Sequence, residues 1–221
     1  MMPVRVYKQL YRCALEAPDG DMLEIGAAHG AASISLGLGL RDANRPFRLF
    51  AIEKCEGGSR DAYGSSEVNR RILEGNVARY DLAGHVEILT VDLSHHEVRQ
   101  STEGHIRGPL ALILHDADGE LYRDFMLFYN LLRPGATVII DDLPVDQAAY
   151  RSSMDSARTR KFVKARIYTD HFVGKGLIEP MFQIRHTLFA RKPVNIVRDT
   201  QFSQAELNVL RESIAKATNH S

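Results

Sequence analysis

Residues 22–40, MLEIGAAHGAASISLGLGL, decide the fold. Met22 to Ile25 is short and apolar apart from Glu24, the form taken by a strand buried on both faces of a parallel sheet. Gly26 and Gly30 then punctuate a tight turn, and the small and leucine-rich residues after them predict a helix over about 30–42. Strand, glycine turn and helix open a βαβ unit, and the pattern recurs downstream. Phe47 to Ile52, Val86 to Val91, Leu110 to Leu114 and Thr137 to Ile140 read as further strands. Helix-length stretches fall at 65–82, 94–104 and 120–132, the last closed by Arg133-Pro134-Gly135. Such alternation predicts right-handed crossovers and hence a doubly wound α/β fold.

The flanks follow from the same reading. A helix is expected over 1–18, where Val4, Leu10 and Leu15 form a stripe that packs on the core or on a partner subunit, so a homodimer is open. After the fifth strand the chain predicts a helix over 146–163, a strand at Ala165 to Thr169 and a loop at Val173 to Pro180. A strand at His186 to Ala190 and a helix over 203–217 complete it. No repeat or linker interrupts 1–221, which reads as a single domain with a core over 20–192.

Composition removes several function classes. The 221 residues carry 28 basic and 28 acidic side chains, so the net charge is zero. A general nucleic-acid or membrane-surface binder would show a basic excess. No apolar run reaches the ~18 residues of a membrane span, and the first residues lack a secretory apolar core. Cys13 and Cys55 have neither metal-type nor disulfide-framework spacing, which suggests free thiols in a reducing cytoplasm. The neutral sum is also a cancellation: residues 113–146 carry a net charge of −5 and residues 147–192 a net charge of +7.

In open α/β sheets, ligands bind outside the carboxyl ends of the parallel strands. At the first such end stands Glu24-Ile25-Gly26-Ala27-Ala28-His29-Gly30. A dinucleotide loop needs G-x-G-x-x-G, and here Ala28 and Ala31 replace its second and third glycines. An acid followed by G-x-x-x-G better suits a ligand bearing an ammonium and a carboxylate, the ammonium meeting Glu24 and the carboxylate the loop N–H groups. Glu53 ends the second strand, where a carboxylate accepts from both hydroxyls of a ribose. Asp92 ends the third, where it can accept from an adenine amino group. Each acid alone is as readily a turn or cap residue, but three in register with a glycine loop are not.

At the fourth strand end lies His115-Asp116-Ala117-Asp118-Gly119-Glu120, and at the fifth Asp141-Asp142-Leu143-Pro144. Carboxylates gathered within ~5 Å repel unless a proton or a cation intervenes. An all-oxygen set suits Mg²⁺, Mn²⁺ or Ca²⁺ rather than zinc. Helix capping and an Asp-Gly turn are the plainer alternatives. The run Arg151, Arg158, Arg160, Lys161, Lys164 and Arg166 reads first as a solvated helix face, and otherwise as a contact for an anionic acceptor.

These motifs resemble the class I S-adenosylmethionine-dependent methyltransferases over residues 20–142, and more loosely over 160–192. HDADGELYRDFMLFYNLLRPGATVIIDD (115–142) is similar to the metal-dependent O-methyltransferases of the macrocin and novobiocin type, as is Glu53-Lys54-Cys55-Glu56-Gly57-Gly58. The resemblance implies a mostly parallel, Rossmann-like sheet of seven strands with an antiparallel last strand. It implies an S-adenosylmethionine cofactor on Glu24, Gly26, Ala27, His29, Gly30, Glu53, Asp92, His115 and Asp116. Asp116, Asp141 and Asp142 would hold Mg²⁺, and Asp118 would be the general base, with His115, His29 and His171 as rivals. The acceptor implied is a small-molecule hydroxyl, in a vicinal diol of a sugar or natural product. A catechol-type lysine base would fall at Gly119, so it is not expected. Two other functions fit the same fold: a metal-independent methyltransferase, and a nucleotide-binding module without this chemistry.

Overall fold

The structure, a computed structural model, describes residues 2–55, 66–117, 119–145, 156–196 and 200–219. Strands β1 (Asp21–Ile25), β2 (Leu49–Glu53), β3 (Val86–Thr90), β4 (Leu110–His115), β5 (Leu132–Ile140), β6 (Glu179–Ile184) and β7 (Thr187–Arg191) form a seven-stranded sheet in the order β3-β2-β1-β4-β5-β7-β6. The helices are α1 (Val4–Glu16), α2 (Ala31–Asp42), α3 (Ser66–Arg79), α4 (His96–His105), α5 (Leu121–Phe128), α6 (Ser156–Gly174) and α7 (Gln204–Asn219). No described helix is long and apolar enough to cross a membrane.

The chain separates into two compact units, Met1–Leu114 and His115–Ser221. In the first, β1 pairs parallel with β2 and β2 with β3, Leu23 standing opposite Phe50 and Ala51 opposite Ile88. Leu23, Leu49, Ala51 and Ile113 are fully buried, as the continuous apolar runs require. Helix α1 buries Val6, Leu10 and Ala14, spaced four apart along one face. Val4, expected in that stripe, is 69% exposed.

In the second unit, β7 is antiparallel to both β5 and β6. Tyr122, Phe125, Tyr129, Tyr168 and Phe172 pack as a buried aromatic core, with the Phe125 and Phe172 rings stacked at 4.8 Å. Two expectations fail here. Ala165 to Thr169 is helical, inside α6, and the sixth strand is instead Glu179–Ile184, within and beyond the expected loop. Arg133-Pro134-Gly135 lies within β5, because a short 3-10 turn at Tyr129–Leu131 has already ended the helix.

Candidate functional site

The first unit builds a cradle on the ends of β1 and β2. The amides of Gly26 and Ala27 both donate to Ile52 O, at 2.9 and 3.2 Å. Glu53 accepts the Ala28 amide on Oε2 at 2.6 Å and the Cys55 amide on Oε1 at 2.9 Å. Ala28 and Cys55 both sit at positive φ, 50° and 58°. The Glu53 carboxylate therefore ties two unusual turns together, a role beside the ribose contact expected of it. Gly30, the residue before α2, has φ 87°, and a Cβ there would stand 2.8 Å from Leu73 Cδ1. A side chain there would be strained by the backbone and would have to push the end of Leu73 aside. Beyond it, the first N–H groups of α2 have no partners within the helix and are suited to an anion.

Glu24 is 1% exposed and accepts a hydrogen bond from Ser33 Oγ. Burial pushes its pKa up to about 7; the Ser33 bond opposes this and the Glu53 charge adds to it. His29 lies 3.4 Å from Asn69 Oδ1, while Asn69 Nδ2 donates to Cys55 O at 3.0 Å. Asn69, buried in α3, thus joins the two loops, and sequence reading missed it because its partners are 14 and 40 residues away. Asp92 accepts the Ser94 amide at 2.8 Å, a turn-forming bond that holds its carboxyl below the usual range. It also lines a cavity of about 440 Å³ with Lys54, Thr90 and His95.

The second unit holds the acidic group. The Asp141 amide donates to His115 O at 3.0 Å, which brings together the ends of β4 and β5. Asp116, Asp141 and Asp142 each offer a carboxylate oxygen, and the three lie within 4.8 Å of one another. Asp141 accepts from Thr187 Oγ1 at 2.5 Å on the start of β7. Burial, and then the Asp142 charge, push the Asp141 carboxyl above its usual range. Asp142 is held at φ 58°, and its Oδ2 is buried. That oxygen forms an ion pair with Lys161 Nζ, which is also 3.6 Å from Asp116 Oδ1. Three clustered carboxylate oxygens, offset among the described residues by a single ammonium, form an all-oxygen donor set that fits a hard divalent cation. Asp118 lies outside the described residues.

His115 is 2% exposed and its Nε2 is 2.8 Å from Asp124 Oδ2. Asp124, fully buried in α5, also accepts from Arg123 Nε at 2.6 Å. Burial alone would raise the Asp124 pKa, but the bonds and charges of His115 and Arg123 outweigh it and hold the carboxyl low. The His115 ring is thus committed to a buried pair beside the acidic group. His171, on α6, packs against Tyr122 and lies 3.3 Å from Glu206.

Comparison with known proteins bears on the family and the fold. A family model described as a methyltransferase domain matches residues 23–143, more than half of the chain. The chain belongs to that family. Among solved structures, an O-methyltransferase from Bacillus cereus in complex with SAH is 21% identical. Its TM-score is 0.64, with 87% of this chain and 82% of that chain covered. TomG from Streptomyces achromogenes, an O-methyltransferase involved in tomaymycin synthesis and solved with SAM, is 20% identical. It has a TM-score of 0.65 and covers 87% and 82% of the two chains. The O-methyltransferase NovP is 17% identical, with a TM-score of 0.63 over 86% and 80%. At these identities the likeness is one of fold: the methyltransferase sheet, as the sequence implied. No curated protein matches.

Proposed function

We propose that this methyltransferase-family chain is an S-adenosylmethionine-dependent O-methyltransferase that acts, with Mg²⁺ or a similar cation, on a hydroxyl of a small molecule bearing a vicinal diol. The observation that carries the reading is the convergence of Asp116, Asp141 and Asp142 within 4.8 Å. In this reading Glu24 meets the cofactor ammonium, the start of α2 meets its carboxylate, and Glu53 and Asp92 serve its adenosine, with Gly26, Ala27, His29 and Gly30 shaping the loop. The fold comparisons agree with a cofactor of this kind, since the Bacillus cereus and Streptomyces proteins were solved with SAH and SAM.

The chemistry needs little from the protein beyond placement. The sulfonium methyl is already electrophilic, so the chain must set an acceptor oxygen in line with it. A bond forms from that oxygen to the methyl carbon as the carbon–sulfur bond breaks, leaving neutral adenosylhomocysteine, and the hydroxyl proton passes to a base. Asp116, Asp141 and Asp142 would hold the cation, which when bound fixes paired hydroxyls and lowers their pKa. Asp118 is proposed as the base, a role worth roughly 10²–10⁴-fold. His115, whose ring is held by Asp124, is assigned to positioning the β4 end that carries Asp116, rather than to proton transfer. The two free thiols, of which Cys55 is buried, suit a cytoplasmic setting.

The test is methyl transfer to a panel of diols. EDTA should abolish it, excess Mg²⁺ should restore it, and Asp118→Asn should lower turnover at least a hundredfold. Turnover unaffected by EDTA would establish instead a metal-independent methyltransferase, the reading favoured by the Lys161 ammonium among the carboxylates.

A further inference from the structure

Lys161 stands where sequence reading had put a solvated helix face. Its ammonium pairs with Asp142 Oδ2 and approaches Asp116 Oδ1 to 3.6 Å, so it contacts two of the three carboxylates of the cluster. Lys161 is about three-quarters buried, and Asp116 and Asp142 are similarly withdrawn. An ion pair so placed is screened far less than one in open solvent.

The backbone explains why α6 delivers a lysine here. Gly119 has φ 75°, and a Cβ on it would lie 3.1 Å from Lys164 Cβ and 3.3 Å from Lys161 O. Glycine suits both the positive φ and this close approach of residue 119 to α6, where a side chain would have to displace its neighbours. One turn along the same face, Lys164 pairs with Glu120. Residues three apart on a helix share a face, so Lys161 and Lys164 grip the two ends of the 116–120 loop. The loop has given up a side chain at 119 and receives two cationic ones from the helix.

We propose that Lys161 is a tethered counter-ion of the acidic cluster, one that holds the carboxylates together before a divalent cation binds and that the cation must displace. This rests on the metal-assisted reading above. The Lys161 ammonium and a divalent ion would compete for Asp142 Oδ2, since one buried carboxylate oxygen cannot serve both cations at full strength. The consequence is a lowered affinity for the cation alone. If the pair is closed for 90–99% of the time, apparent affinity falls roughly tenfold to hundredfold, because binding draws only on the open fraction. A diol that arrives with the cation supplies further oxygen ligands and helps to drive the lysine out, so the cation and the acceptor would bind cooperatively.

The experiment is Mn²⁺ titration followed by electron paramagnetic resonance, without cofactor or acceptor, on wild type, Lys161→Met, Lys161→Gln and Lys164→Met. Circular dichroism melts confirm that each variant is folded. Lys161→Met and Lys161→Gln should each tighten Mn²⁺ binding at least tenfold. Lys164→Met, which removes the same charge one turn away from Glu120 instead, should change it less than threefold. Equal Mn²⁺ affinity in wild type and both Lys161 variants would overturn the counter-ion role while leaving the metal site standing. An equal gain in Lys164→Met would also overturn it, since net charge alone would then explain the effect. Absence of Mn²⁺ binding in every variant would overturn the metal reading itself, and this inference with it.

Discussion

The carboxyl of Glu24 and the hydroxyl of Ser33 share a 2.5 Å hydrogen bond that joins the buried end of β1 to the first turn of α2. Both side chains are almost wholly buried. Burial dominates the Glu24 titration, raising it from 4.5 to about 7. The folded state therefore keeps its proton over a pH range in which the unfolded chain releases it. This contribution is fully favourable below about pH 4.5 and is lost as pH rises to about 7. Glu24→Gln removes the dependence. Its stability relative to wild type should climb across that window by roughly 3 kcal/mol and then level off. Urea denaturation at half-unit steps from pH 4.5 to 8 measures the difference, and parallel curves would contradict it. In the proposed function the same ionisation acts on ligand binding, so adenosylhomocysteine should bind wild type more tightly as pH rises toward 7, and Glu24→Gln without that slope.

Glu53 takes two backbone amides, those of Ala28 and Cys55, and both residues lie at positive φ. Glu53→Gln would set an amide NH₂ against one of these donors. The change should cost about 1–3 kcal/mol, the usual penalty for a polar group left without its partner. Thermal melts check the stability, and calorimetry should show adenosylhomocysteine binding weakened at least tenfold. Unchanged binding would remove Glu53 from the cofactor cradle.

Asp124 meets both His115 and Arg123 and is fully buried. Asp124→Ala should lower stability by about 1–3 kcal/mol, because His115 Nε2 and Arg123 Nε both lose their partner at a buried site. Asp124→Asn, which retains the shape, should cost less. Chemical denaturation of both variants checks the order. If the alanine variant were as stable as wild type, the pair would not be what fixes the β4 end.

Much of this architecture was legible because the information lay in contiguous residues. The apolar runs that close at Ile25, Ile52, Leu114 and Ile140 fall within one residue of strand ends, so Glu53, Asp116, Asp141 and Asp142 just beyond them, and Glu24 inside the first, were found by position alone. The misread segments show why the rest was hidden. Ala165 to Thr169 looks like a strand in isolation. Its helical character shows only over a longer window, where Phe162, Ala165, Tyr168, Thr169 and Phe172 are buried at helical spacing. The edge strand Glu179–Ile184 contains Pro180, shows little alternation and leaves Met181 and Phe182 exposed. Within the site, the acids announced themselves by residue type. Asn69, Asp124, Lys161 and Thr187 did not, because each acts through a partner on another element, and the Thr187–Asp141 bond spans 46 residues.

The most direct test of the account is calorimetric titration with adenosylhomocysteine, with and without Mg²⁺, on wild type and on Asp142→Ala. The account predicts that both proteins bind adenosylhomocysteine, through a cradle that does not include Asp142, and that only wild type gives a further heat and a tighter complex with Mg²⁺ and a diol present. A wild-type protein indifferent to Mg²⁺, or an Asp142→Ala variant with the full Mg²⁺ response, would contradict it.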